Sequence, residues 1–136
     1  MYNYVIKLRM KEKKLLNMYI YEAKLIRVVD SDTVDAEIDL GFDIHIRQRI
    51  RLYGISTPNS RAVDIDEREE GLSAKSRLIE LLPKTFVVET ILNKRGKYGR
   101  VMGTVFAKND DGSLTNINQQ LIDEGFATEH YGINRE

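Results

Sequence analysis

Apolar and polar residues alternate with a period of two through Ile44-His45-Ile46-Arg47 and again through Ile50-Arg51-Leu52. That spacing puts one face of a β-strand into a core and leaves the other outside it. The pattern predicts strands over Tyr19–Val29, Val34–Leu40 and Ile44–Ile55. The acidic turn Asp30-Ser31-Asp32 joins the first two, a short glycine-bearing connection around Gly41 joins the next two, and Pro58 stops the third. Residues 59–70 are polar and densely charged and read as a surface loop. Helical spacing then begins at Gly71 and runs to Leu82, with Leu72, Lys75/Ser76, Ile79 and Leu82 on one side and Pro83 as the stop.

Further on, Phe86–Leu92 predicts a fourth strand, the basic stretch from Asn93 to Arg100 a turn, and Val101–Ala107 a fifth strand. Asn109-Asp110-Asp111-Gly112 is a strong turn signal. Thr115–Glu124 carries Ile117, Leu121 and Ile122 on one helical face, with Gly125 as its cap. From Phe126 onward no further periodic segment follows. The order β-β-β-α-β-β-α, with short connections and no βαβ alternation, describes a mainly β chain with helices. A five-stranded OB-fold barrel with two helices packed outside fits it. A small open α+β sheet has the same period and order.

Length changes this picture little: 136 residues make one domain with a real core. The division predicted is an N-terminal extension over 1–17, a barrel domain over 18–132 and a short tail over 133–136. Met18 offers an alternative start to the chain. Lys+Arg and Asp+Glu both number 21, so the net charge is zero. Polyanion binding would need a local cluster. Cysteine is absent, which removes disulfides and thiolate metal sites. No apolar run is long enough for a membrane helix and no signal peptide is recognisable, so a soluble cytoplasmic domain without membrane contact is expected.

Three stretches carry candidate chemistry. Asp30 and Asp32 flank one turn and offer carboxylate oxygens to a hard divalent cation; taken alone, ordinary turn hydrogen bonding is the better explanation. Arg51 is a candidate phosphate clamp, or else one of a solvated row with Arg47 and Arg49. Lys97-Tyr98-Gly99-Arg100 suits backbone contact and base stacking, or an ordinary charged hairpin turn. His45 and His130 have no partner at ligand spacing, which disfavours a zinc site.

In order and spacing, Val28-Val29-Asp30-Ser31-Asp32-Thr33, Arg51-Leu52-Tyr53-Gly54-Ile55-Ser56-Thr57-Pro58 and Lys97-Tyr98-Gly99-Arg100 resemble the staphylococcal-nuclease (thermonuclease) family in its compact bacterial or phage form. The resemblance runs from about Tyr19 to Tyr131. It implies an OB barrel that hydrolyses DNA and RNA phosphodiesters with Ca²⁺. By resemblance, Asp32 and the Thr57 carbonyl match calcium ligands, and Arg51 and Arg100 match the two arginines on the scissile phosphate. Lys97, Tyr98 and Tyr131 match nucleotide contacts.

Two positions depart from the family pattern. Ser56 stands where a metal-binding aspartate is usual, and Asn59 where the general-base glutamate is usual; Ser31 also replaces a turn glycine. A hydroxyl removes one formal charge from the metal site, and an amide cannot accept a proton from water. Calcium binding is therefore expected to be weak or lost, and so is cleavage. Asp35, Glu37, Asp64, Asp66, Glu67, Glu69 and Glu70 are the carboxylates from which a replacement would come. The alternative is a degenerate barrel that binds single-stranded DNA or RNA, a nucleotide or a protein partner without cutting.

Overall fold

The alternation in the sequence becomes three antiparallel strands, β1 (Ile20–Asp30), β2 (Thr33–Asp39) and β3 (His45–Leu52). The computed structural model describes residues 19–95 and 101–130. The predicted extension over 1–17 and the tail over 133–136 lie outside the described residues. From Val34 onward along β2 the buried side chains are Val34, Ala36 and Ile38, alternating with half-exposed Asp35, Glu37 and Asp39; Thr33 at the start of the strand is buried too. β1 and β2 pair from Ala23↔Ile38 to Asp30↔Thr33, and β2 and β3 from Thr33↔Arg51 to Asp39↔His45.

The third strand is shorter than its alternation predicts. It ends at Leu52, because Tyr53-Gly54 turn the chain and Ile55–Ser56 form a separate short strand, β4. After α1 (Ile65–Leu81) come β5 (Thr85–Arg95), β6 (Val101–Lys108), β7 (Leu114–Asn116), α2 (Ile117–Asp123) and β8 (Thr128–Glu129). The main sheet has the order β3-β2-β1-β5-β6-β7, and β3 pairs again with β6 in parallel from Ile50↔Val101 to Leu52↔Gly103. That second pairing closes β1, β2, β3, β5 and β6 into a barrel and rules out the open sheet. The architecture is the five-stranded OB type with two helices. β8 pairs with β4 through Ile55↔Glu129 and Ser56↔Thr128, so the segment after Phe126 holds a strand that its lack of periodicity does not reveal.

The barrel is filled by Val34, Ile50, Leu52, Phe86, Val88 and Val105, with Leu78 of α1 and Ile117 and Leu121 of α2 closing it from outside. Each such side chain contributes about 1.5–3 kcal/mol by leaving water. Asn118 of α2 is buried, and its side-chain amide is hydrogen-bonded at both ends. Its Oδ1 accepts from the Val105 amide at 3.1 Å, and its Nδ2 donates to the Tyr53 carbonyl at 2.8 Å. One side chain thereby ties α2 to β6 and to the turn between β3 and β4.

The first helix corrects two expectations. It begins at Ile65, not Gly71, because the Asp64 carboxylate accepts from the Glu67 amide at 3.1 Å and caps it within the predicted loop. Its buried side is Gly71, Ala74 and Leu78, whereas Leu72 and Ile79 are about half exposed. Two of the three buried residues are small, so the helix seats by close approach of its backbone, and a pattern weighted toward large apolar residues selects the wrong face. The second helix starts at Ile117 with Asn116 as its cap, since Thr115 belongs to β7. Its C-terminal turn ends at Glu124, followed by Gly125 at φ +86°.

The two helices are also joined by charge. Arg77 of α1 holds Glu124 with Nε at 2.6 Å and Nη2 at 2.9 Å. Those bonds, with a further one from Gln120, draw the Glu124 carboxyl down from 4.5 to about 2. A carboxyl depressed in the folded state contributes fully above its ordinary value, and the contribution disappears as pH falls from about 4.5 to about 2. Glu124→Gln therefore lowers the melting temperature at neutral pH, and the gap between variant and parent closes across that window. Melting curves recorded from neutral pH to pH 2 check this.

Candidate nucleic-acid interface

The β1–β2 turn and the segment after β4 face each other across a polar cleft of about 490 Å³. One wall is Val29-Asp30-Ser31-Asp32-Thr33; the other is Thr57-Pro58-Asn59 with Arg61, and Arg49 and Arg51 of β3 lie between them. The walls are bound together by hydroxyls. Ser31 Oγ donates to the Pro58 carbonyl at 3.0 Å and so accepts from Thr57 Oγ1 at 2.6 Å. The Ser60 hydroxyl donates to Asp30 Oδ1, which also accepts the Ser31 amide at 2.8 Å. Ser31 and Ser60 are both buried. The serine in place of the turn glycine thus forms a clasp across the cleft, and Ser60 doubles it; neither role is visible in the spacing of the motifs.

Arg51 is the most enclosed cation of the cleft, with its side chain 15% exposed. It stands opposite Thr33 on β2. Its Nη1 donates to the Leu52 carbonyl, its Nη2 to the Ile55 carbonyl at 2.9 Å, and its Nε lies 3.3 Å from Asp32 Oδ2. The two carbonyls frame the turn between β3 and β4, so the turn that shortens β3 is also the one that orients the guanidinium. Asp32 Oδ1 accepts the Thr33 hydroxyl at 2.8 Å. Both aspartate oxygens are thus already engaged.

The other expected site positions separate. Asn59 lines the cleft, but its Oδ1 accepts the Arg61 amide at 2.8 Å. Its own amide points to Glu67 Oε2 at 3.4 Å, which brings that carboxylate of α1 to the rim of the cleft. Ser56 sits half-buried on β4 against Thr128 and does not line the cleft. Asp35 is taken up by Arg27 and Arg49. Lys97, Tyr98, Arg100 and Tyr131 lie outside the described residues. No motif marks Arg49 or Arg61; Arg49 joins the site because it shares Arg51's face of β3 two residues away, and Arg61 because the segment after β4 lies across the cleft from the β1–β2 turn.

A closed five-stranded barrel carrying an aspartate turn against an inward arginine is what the resemblance implies, and the family comparison agrees. The model for the staphylococcal nuclease homologue matches residues 49–136. The chain belongs to that family. It is 29% identical to an uncharacterized protein of Methanocaldococcus jannaschii over a 126-residue alignment covering 79% of this chain. The alignment takes in 58% of the relative's length, so the chain spans little more than half of that protein.

The family resemblance implies calcium, and the donors can be tested against it. Calcium takes six to eight oxygens, several of them from carboxylates. In the cleft the carboxylates are Asp30 and Asp32, each already bonded to a hydroxyl, and the remaining side-chain oxygens are neutral. Among the described residues, no group of three or more His, Cys, Asp or Glu gathers where it could hold a metal ion. This donor set does not fit a calcium cage. No described helix is long and apolar enough to cross a membrane.

Proposed function

We propose that the protein holds single-stranded DNA or RNA by a backbone phosphate in the cleft at Arg51, and that phosphodiester hydrolysis is weak or lost. The observation that carries this is Arg51, whose guanidinium is held by two backbone carbonyls and Asp32 inside an open polar cleft also lined by Arg49 and Arg61. In a chain of zero net charge, such fixed guanidinium groups in a cleft are the local feature that would hold a polyanion. Arg51 is also held in place before any ligand arrives, so its fork loses little freedom on gripping a phosphate.

The same arrangement argues against fast cleavage. Asn59 cannot take a proton from water, and without a general base a hydrolysis slows by roughly 10²–10⁴-fold. Ser56 adds no charge with which to hold a cation.

Arg51→Ala is expected to weaken binding of a labelled single-stranded oligonucleotide about tenfold or more, as loss of a charge-assisted contact does. Fluorescence anisotropy at fixed salt measures it. Arg51→Lys, which keeps the charge without the fork, should fall between the two, and melting curves confirm that both variants fold. Brisk calcium-dependent digestion by the unaltered protein would overturn the proposal, as would binding indifferent to Arg51.

A further inference from the structure

A bulge in β1 gives the barrel an outer face that simple alternation does not contain. Lys24 stands opposite Glu37; the register then shifts between Leu25 and Arg27, so that Arg27 stands opposite Asp35. Both cations are exposed. On the far side of β2, Glu37 faces Arg47 and Asp35 faces Arg49. Two successive rungs thus have the order cation, carboxylate, cation: Lys24–Glu37–Arg47 and Arg27–Asp35–Arg49.

In the second rung both guanidiniums hold one carboxylate. Arg49 reaches it with Nε at 2.8 Å and Nη2 at 3.1 Å, and Arg27 with Nε at 3.3 Å. One carboxylate does not neutralise two cations, so each rung keeps a positive excess. Arg49 uses one edge on Asp35, and its Nη1 has no part in that bond. Asp35 therefore aims Arg49 without cancelling the face.

Arg47, Arg49 and Arg51 occupy every second position of β3 and so share one face of the strand. At about 3.3 Å per residue, neighbours in this row are roughly 6.6 Å apart. Successive phosphates of an extended single strand are separated by a similar distance. Arg51 and Arg49 both line the cleft, and Arg47 continues the row toward the β2–β3 connection, exposed.

We propose that this row is a phosphate track. A single-stranded polynucleotide with one phosphate at Arg51 lays the next two on Arg49 and Arg47 and runs out of the cleft along β3. The occupant is then an extended strand of several nucleotides, not a mononucleotide. The inference rests on the phosphate binding proposed for the cleft.

The test compares a labelled dinucleotide with a labelled octanucleotide, both thymidylates, bound to the full chain over a range of salt. Removing two phosphate contacts from a single strand flattens the slope of log affinity against log salt by about 1.4, at about 0.7 per phosphate. Arg47→Gln with Arg49→Gln should show that loss on the octanucleotide, and Arg47→Gln alone, outside the cleft, should flatten the octanucleotide slope by about 0.7 and leave the dinucleotide unaffected. Arg47→Lys with Arg49→Lys should keep the slope of the unaltered chain. An unchanged octanucleotide slope, or an equal loss on both lengths from Arg47→Gln alone, overturns the track while leaving the cleft's own binding in place. Failure of the unaltered chain to bind either length overturns the cleft proposal, and the track with it.

Discussion

Ser56→Asp combined with Asn59→Glu is expected to raise calcium-dependent cleavage of single-stranded DNA by at least about 100-fold, the lower end of what a general base contributes. Asn59 already lines the cleft, and residue 56 directly follows Ile55, whose carbonyl holds the Arg51 guanidinium. A carboxylate at 59 therefore enters the cleft directly, and the longer aspartate side chain at 56 has to reach it from β4, one residue beyond the carbonyl that holds Arg51. They also raise the formal charge available to a cation, on which calcium affinity depends.

The change is separable from activity. A ligand present at a hundred times its dissociation constant stabilises a fold by about 2.7 kcal/mol, so calcium should raise the melting temperature of the double variant. The parent should show little or no such rise. Calorimetric titration of calcium into both proteins gives the same comparison directly. If neither cleavage nor calcium response appears in the double variant, residues 56 and 59 do not lie where the family pattern puts them. A strong calcium response in the parent would show that another carboxylate, Glu67 being the one at the rim, already serves.

Gly71→Ala destabilises the protein by about 2 kcal/mol or more, within the range for overpacking a tight contact. On an exposed helix the same change gains about 1 kcal/mol, because alanine is the better helix former. Here the sign reverses because of what the helix rests on. A Cβ at Gly71 would lie 2.5 Å from the Asn59 carbonyl carbon and 2.6 Å from Ser60 Cα, and would strike the Ser60 nitrogen as well. All three are backbone atoms, so no side-chain rotation relieves the overlap, and either the helix or the 59–60 segment has to move.

A loss of that size lowers the melting temperature by several degrees in a chain of this length. Urea denaturation measures the free energy itself. There is a second consequence at the cleft. Ser60 is bonded to Asp30 and Asn59 forms part of the wall, so displacing the segment also weakens oligonucleotide binding. A variant as stable as the parent would mean that the helix does not sit this close.

Most strands and the C-terminal ends of the helices were legible along the chain, whereas the helix starts were not. Strict alternation in Val34–Ile38 marks which residues enter the core, and turn chemistry at Asp30-Ser31-Asp32 and Asn109–Gly112 marks where strands stop. The seat of α1 was not. Large apolar residues suggest the face of Leu72 and Ile79, yet Gly71 and Ala74 are the buried ones, because a close backbone approach requires small side chains and hydrophobicity does not measure closeness. β8 escaped notice for a related reason. Two residues have no period, and what makes Thr128–Glu129 a strand is β4 beside it.

At the site the division is similar. Asp32, Arg51, Thr57 and Asn59 could be singled out by motif, and so could the missing carboxylates at 56 and 59, since a residue's chemistry is a local property. What those residues bond to is not local. The Ser31–Thr57 clasp joins positions 26 apart along the chain, and the cation–carboxylate–cation rungs depend on a bulge that shifts β1 against β2. Closure of the barrel likewise depends on the parallel pairing of β3 with β6, which no alternation encodes. Residue order was enough to set local conformation and the chemical groups on offer. Their company was set by long-range pairing, because register and close packing arise only when distant segments meet.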